Sequence, residues 1–206
     1  MAHLNIDLLK QTGLRSDPFE YTIVPNFLSA GSLQDIISSY PTLKGGSYPV
    51  DSVDLAPVVQ ALLDELDGPD FEQAIEEKFN VSLKGQPKMY SLRGYCRATD
   101  GKIHTDSTDK IITVLLYLNP HWNEEGGKLR MLRGGKDLND FAEEVPPDNG
   151  TLLVFRRSQN SWHGHAPFAG RRCSIQMNWM VSQSARGFHK LRHAISARIK
   201  KLTAAK

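Results

Sequence analysis

Ile103-His104-Thr105-Asp106 is followed, after three residues, by Lys110-Ile111-Ile112-Thr113-Val114-Leu115-Leu116-Tyr117-Leu118. The second part is rich in β-branched and other apolar side chains, which suit a pleated surface and predict a buried strand over Ile111–Leu118. Just ahead of it, His104 and Asp106 stand at i and i+2. On extended backbone such residues point to one face, so an imidazole and a carboxylate can reach one ion. A third ligand must come from a distant segment. His163, 57 residues after Asp106, and His165 alternate on another expected strand and share a face.

Other segments of β-forming residues flank this stretch between Gly, Asn and Pro turns. They are Met89–Cys96, Lys128–Leu132, Thr151–Phe155, Trp162–Ala166 and Cys173–Val181, with Ile103–Asp106 itself as a further short strand. Many short strands predict a sandwich or barrel with helices outside it. Gly126-Gly127 predicts a hairpin turn. The longest polar interruption, Arg133–Asn149, reads as a loop, either bordering a pocket or simply solvated.

Before Lys88 the pattern is helical. Ser29 caps a helix with Leu33, Ile36, Ile37 and Tyr40 at i, i+3, i+4, i+7 spacing. A second helix spans Val58–Leu66 between Pro57 and Gly68-Pro69, and Asp70 caps a third that buries Phe71, Ala74, Ile75 and Phe79. The fold class is therefore α+β, mainly β, in a single domain over 1–206. Residues 1–87 form a mainly helical part, 88–182 the β core, and 183–206 a basic amphipathic helix. That last helix carries Phe188, Leu191, Ile195, Ile199 and Leu202 on one stripe. Docking on its own domain is expected, with contact to an anionic surface as the alternative.

Composition narrows the function classes. The chain of 206 residues is 40% hydrophobic and 23% charged, with a mean hydropathy of −0.39. Its longest strongly apolar run, around Val114–Leu118, is far short of the ~18 residues that span a bilayer. Met1–Asp7 shows no secretory pattern. Two cysteines, Cys96 and Cys173, make no disulfide framework and predict a reducing, cytoplasmic compartment. Seven of the 25 Lys/Arg lie from Arg186 onward with none of the 23 Asp/Glu, leaving 18 basic against 23 acidic groups before it. An acidic body of this kind argues against nucleic acid as a partner.

Two histidines and one carboxylate make the facial triad of non-haem iron(II) oxygenases. Three protein ligands leave two positions for a chelating 2-oxo acid and one for dioxygen. Arg172 lies nine residues after His163 and opens the strand Cys173–Trp179. Its guanidinium can pair bidentately with the distal carboxylate of the oxo acid. Arg171, pointing the other way on an extended chain, is its competitor. His165 has no basic residue at that offset and is expected to meet substrate or solvent. The alternating Arg172, Ser174, Gln176 and Asn178 give this strand one polar face, either lining a polar pocket or facing solvent.

Taken together, His104-Thr105-Asp106, Ile112–Asn119, Glu125–Leu129, Gly150–Phe155, Trp162-His163 and Gly170-Arg171-Arg172 resemble the prolyl 4-hydroxylase-like 2-oxoglutarate/iron(II) dioxygenases, over about Met89–Val181. Val24–Leu28 is similar to the opening segment of bacterial members. The resemblance implies a double-stranded β-helix (jelly roll) with iron near one open end. It implies Fe(II), 2-oxoglutarate and O2, with ascorbate as an accessory reductant. It also implies oxidative decarboxylation to succinate and CO2 coupled to hydroxylation of an unactivated C–H bond. His104, Asp106 and His163 match the metal ligands and Arg172 the cosubstrate's basic partner. Tyr117 matches a tyrosine donating to the same carboxylate, and Tyr95 an aromatic lining the pocket. The substrate, small-molecule or peptidyl, is left open. A zinc hydrolase with the same ligands and a non-catalytic jelly-roll binding module are the competing readings.

Overall fold

The computed structural model describes residues 2–182; the helix expected over 183–206 lies outside them. Among the described residues, nine strands form two antiparallel sheets. Tyr21–Val24 (β1), Tyr48–Pro49 (β2), Lys88–Cys96 (β3), Lys110–Tyr117 (β4), Leu152–Arg156 (β7) and Gly170–Met180 (β9) build a six-stranded sheet in the order β1-β7-β4-β9-β3-β2. Leu129–Leu132 (β5), Phe141–Val145 (β6) and His163–His165 (β8) form a three-stranded sheet in the order β6-β5-β8.

Alternation along the strands assigns the large sheet's two faces. Ile112, Val114 and Leu116 of β4, Leu152 and Val154 of β7, and Cys173, Ile175, Met177 and Trp179 of β9 join a core covered by helices. Their neighbours Tyr117, Leu153 and Phe155 instead join Leu129, Met131 and Val145 of the small sheet in a second core. The jelly roll is thus two facing sheets, with the helices on the outer side of the larger one.

Those helices are Ile6–Gln11 (α1), Ala30–Ser39 (α2), Pro57–Asp67 (α3) and Pro69–Phe79 (α4). Ser29 is the N-cap of α2, but its hydroxyl meets Ser32 Oγ at 2.8 Å rather than a backbone N–H. The cap of α4 is Gly68, not Asp70. Pro69 fixes the φ of the first helical position, so the helix starts two residues earlier than expected and Asp70 and Glu72 favour its dipole from within the first turn. Phe71 is fully buried, stacked on Trp179 with ring centroids 6.2 Å apart, and joins helix to sheet. Phe71→Ala is expected to destabilise by about 3–5 kcal/mol, read from the urea midpoint. A loss below ~1 kcal/mol would show that this contact does not hold the layers together.

Three further expectations are corrected. Arg133–Asn149 is not all loop, because β6 pairs with β5 along the small sheet's edge. Ile103–Asp106 is not a full strand; only His104 pairs, as an isolated bridge to His163. Gly126-Gly127 does not close a hairpin but lies where the chain crosses from β4 to β5. There Gly127 has φ +79°, and a Cβ on Gly126 would come 2.2 Å from Pro167 O.

Candidate metal centre and cosubstrate cavity

The bridge between His104 and His163 brings two remote histidines side by side. Each backbone N–H donates to the other's carbonyl, at 3.0 and 2.9 Å, and the ring centroids lie 4.3 Å apart. His104 Nδ1 is 2.8 Å from Lys102 O and His163 Nδ1 is 2.9 Å from Ser161 O. A carbonyl only accepts, so each Nδ1 carries the proton and donates, leaving both Nε2 lone pairs for a metal. The Phe155 ring, 4.9 Å from that of His163, packs against it. Asp106 completes the group: one ligand atom from each of the three residues lies within 4.8 Å of the others. His104 is exposed while Asp106 and His163 are buried, so the centre sits at an open end of the jelly roll.

Asp106 is held from several sides. Lys110 Nζ donates to its Oδ1 at 2.8 Å, Thr113 Oγ1 to its Oδ2 at 2.6 Å, and Arg157 Nε to its backbone carbonyl at 3.1 Å. The Thr113 hydroxyl in turn accepts from Asn178 Nδ2 at 2.8 Å, and Asn178 Oδ1 accepts from Gln176 at 3.2 Å. The polar face of β9 therefore reaches the carboxylate through a hydrogen-bonded chain. Burial alone would raise the pKa of Asp106. The Lys110 ammonium, His163 and the two side-chain hydrogen bonds outweigh it and hold the group at about 2.

Burial pushes the His163 imidazole down to about 4, against the opposing pull of Asp106. In metal-free protein, acidification below the ordinary histidine value of ~6.5 thus protonates the unfolded chain before the folded one. Stability falls across that window until pH reaches about 4. The depressed Asp106 adds a second loss only as pH falls from the ordinary carboxylate range through about 2. Chelator-treated wild type is expected to lose on the order of 3 kcal/mol more than His163→Asn between pH 6.5 and 4. Parallel stability profiles for the two would contradict the assignment.

From the ligands a cavity of about 120 Å³ runs between the sheets. Thr113, Leu115 and Tyr117 of β4, and Arg172, Ser174 and Gln176 of β9, line it. Arg172 is buried, donates Nε to Gly127 O at 2.7 Å, and places its guanidinium carbon 5.1 Å from the Tyr117 ring centre. Arg171 is turned to the helix side, where its Nη2 donates to Ile37 O at 3.3 Å. Of the two arginines, Arg172 lines the cavity and Arg171 does not. His165 also lines the cavity without joining the ligand group; its Nε2 lies 3.8 Å from Cys96 Sγ.

Tyr95, expected to line the pocket, instead lies at the surface, 43% exposed. A register shift between Arg93 and Tyr95 breaks the alternation of β3 and turns the tyrosine out. It is centred on Gly94, where a Cβ would come 2.8 Å from that of Leu43. Arg93, not singled out by its pattern, lines the cavity in place of Tyr95. A larger hollow of about 530 Å³ lies on the outer face beside Lys88 and Tyr90. Its charged groups are already partnered: Lys88 with Glu72 at 2.9 Å and Tyr90 with Asp67 at 2.9 Å.

The residues present fit a metal and an anionic chelator. Two free imidazole nitrogens and an ionised carboxylate make a mixed nitrogen and oxygen, three-ligand set open on one side. Deeper in, the buried Tyr117 and Ser174 hydroxyls lack hydrogen-bond partners, and no described carboxylate pairs with the Arg172 guanidinium. Unpartnered buried donors are costly, and a bound carboxylate would satisfy them.

Comparison with known proteins agrees with this chemistry. Residues 90–180 match the model of the 2OG-Fe(II) oxygenase superfamily. None of the curated proteins matches the chain significantly. Among solved structures, the fold is similar to a Pseudomonas putida prolyl-4-hydroxylase, with TM-score 0.54 and 18% identity, over 85% of this chain and 92% of that one. It is also similar to a viral collagen prolyl hydroxylase from Paramecium Bursaria Chlorella virus-1 in a 2OG complex, with TM-score 0.55 and 13% identity, over 82% and 99%. A third is iron-bound HygX from Streptomyces hygroscopicus, with TM-score 0.55 and 12% identity, over 86% of each chain. No described helix is long and apolar enough to cross a membrane. The jelly roll and the converging donors thus coincide with a stretch, residues 90–180, that is similar to the 2OG-Fe(II) oxygenase superfamily.

Proposed function

We propose that the protein hydroxylates a small-molecule or peptidyl substrate, with His104, Asp106 and His163 as iron ligands and Arg172 and Tyr117 as partners of the 2-oxoglutarate distal carboxylate. Convergence of the three ligand atoms at the mouth of a cavity that ends on unpaired donors carries the reading. Bound there, ferrous iron would supply the redox chemistry by which 2-oxoglutarate, O2 and a substrate C–H group become succinate, CO2 and a C–OH group, one oxygen atom going to succinate and one to the product.

The chain's own part is positional. Lys102 O and Ser161 O hold the imidazole tautomers, and Thr113 and Lys110 hold the carboxylate ionised. Arg172 and Tyr117 orient the oxo acid from its far end, and Leu115, Leu129 and Phe155 exclude water between. Burial raises the Tyr117 pKa against the pull of Arg172, so the phenol stays a neutral donor. A zinc hydrolase would leave these deep donors without a role. The two free, buried cysteines support a reducing, cytoplasmic setting.

The test is uncoupled turnover. Protein with Fe(II), 2-oxoglutarate and ascorbate is expected to form succinate and consume O2, and screened peptides or metabolites to gain one oxygen in mass. Iron-loaded protein that shows neither succinate nor O2 uptake above background, with or without the screened compounds, would remove the proposal.

A further inference from the structure

Arg172 is not the only cation in the cavity. Arg93 reaches the same space from β3, on the other side of β9 from Tyr117. The register is direct: Ser174 of β9 is paired with Arg93 on one side and with Tyr117 on the other. Arg93, Ser174 and Tyr117 therefore stand in one row across three neighbouring strands, all lining the cavity, with Arg172 two residues before Ser174 on the same face. Among the described residues, neither Arg93 nor Arg172 forms an ion pair. Asp100, on the loop after β3, is hydrogen-bonded to the backbone N–H and Nη2 of Arg97, each at 3.0 Å, and attracts Arg93 without forming an ion pair with it. The hydroxyls of Ser174 and Tyr117 in the same row are the orphaned donors noted above.

Two guanidiniums facing one small cavity repel each other unless an anion lies between them. A carboxylate has four lone-pair sites and accepts from more than one fork. Arg172 already uses Nε on Gly127 O and keeps only its terminal nitrogens for a ligand. We infer that Arg93 is a second anchor of the oxo acid's distal carboxylate, so that the site selects a dicarboxylic cosubstrate through a two-arginine clamp. The inference rests on the 2-oxoglutarate reading of this cavity but assigns it a residue that the His-x-Asp…His…Arg pattern does not contain.

The test is titration of the iron–oxo-acid charge-transfer band in the anaerobic Fe(II) protein. The probes are 2-oxoglutarate and 2-oxobutyrate, which chelates iron but lacks the distal carboxylate. Arg93→Met is expected to weaken 2-oxoglutarate by about 10–100-fold and to leave 2-oxobutyrate within ~3-fold. Arg93→Lys, which keeps the charge but loses the fork, is expected to fall between wild type and Arg93→Met. It also serves as the test variant if the methionine protein does not fold. In the Arg93→Met/Arg172→Met double variant the two losses are expected not to add, because both act on one carboxylate. Unchanged 2-oxoglutarate affinity in the Arg93 variants, alongside a loss in Arg172→Met, overturns the clamp and leaves the cosubstrate reading standing. Equal weakening of both probes also overturns it, since that is damage to the site rather than recognition. If neither arginine affects 2-oxoglutarate, the cosubstrate reading itself fails.

Discussion

Asp106→Ala is expected to weaken iron binding by more than ~100-fold, beyond the range set by lost outer-shell contacts. Two effects add. The centre loses its only anionic ligand among the described residues, and Lys110, whose side chain is 9% exposed, is left as a buried ammonium beside the metal position. An uncompensated buried charge costs about 3–5 kcal/mol, so the single variant is also expected to lose stability. Asp106→Ala/Lys110→Met separates the two effects. The double variant should regain stability, because no charge is stranded, yet still fail to hold iron. Equilibrium dialysis with iron analysis reads the first, and urea unfolding the second. If Asp106→Ala binds iron as wild type does, the carboxylate is not a ligand.

Arg172→Met is expected to raise the Kd for 2-oxoglutarate by about 100-fold, the scale of truncating one partner of a buried charged pair. Tyr117→Phe removes a single hydrogen bond to a charged group and should cost about 10-fold. Iron affinity in the absence of the oxo acid should change in neither, since both residues lie at the far end of the cavity from the metal donors. Calorimetric titration of 2-oxoglutarate into the metal-loaded protein checks this. A change of less than ~3-fold in Arg172→Met would mean that the buried guanidinium serves packing against Tyr117 alone.

Much of the site was legible in the sequence because strands write it in period two. His163 and His165 on one face of β8, and the polar series Arg172, Ser174, Gln176 and Asn178 on one face of β9, follow from extended backbone, whereas His104 sits in a single bridge with no strand running on to Asp106. The structure puts that polar series inside, where Asn178 supports Thr113 and Thr113 supports Asp106. What stayed hidden breaks the periodicity or lacks an apolar signal. The shift at Gly94 exchanges Tyr95 for Arg93, and counting residues along β3 cannot show it. β6 reads Phe-Ala-Glu-Glu-Val and looks like loop. Its place in the sheet depends on partners across the strand, with Glu144 accepting from Arg130 at 2.6 Å. β1 is only four residues long and finds its stability on β7, far along the chain. Lys110, which opens β4, reads as a solvated charge until folding places it against Asp106.

The proposed chemistry needs one convergence: imidazole, carboxylate and imidazole around a single ferrous ion, with an oxo acid chelated beside it. Anaerobic addition of Fe(II) and then 2-oxoglutarate to chelator-treated protein, followed by visible absorption, tests it directly. The predicted result is a charge-transfer band that needs both additions, saturates at one iron and one oxo acid per chain, and disappears in His163→Ala. Iron that binds at one per chain without any band on adding 2-oxoglutarate, or a band that persists in His163→Ala, would contradict it.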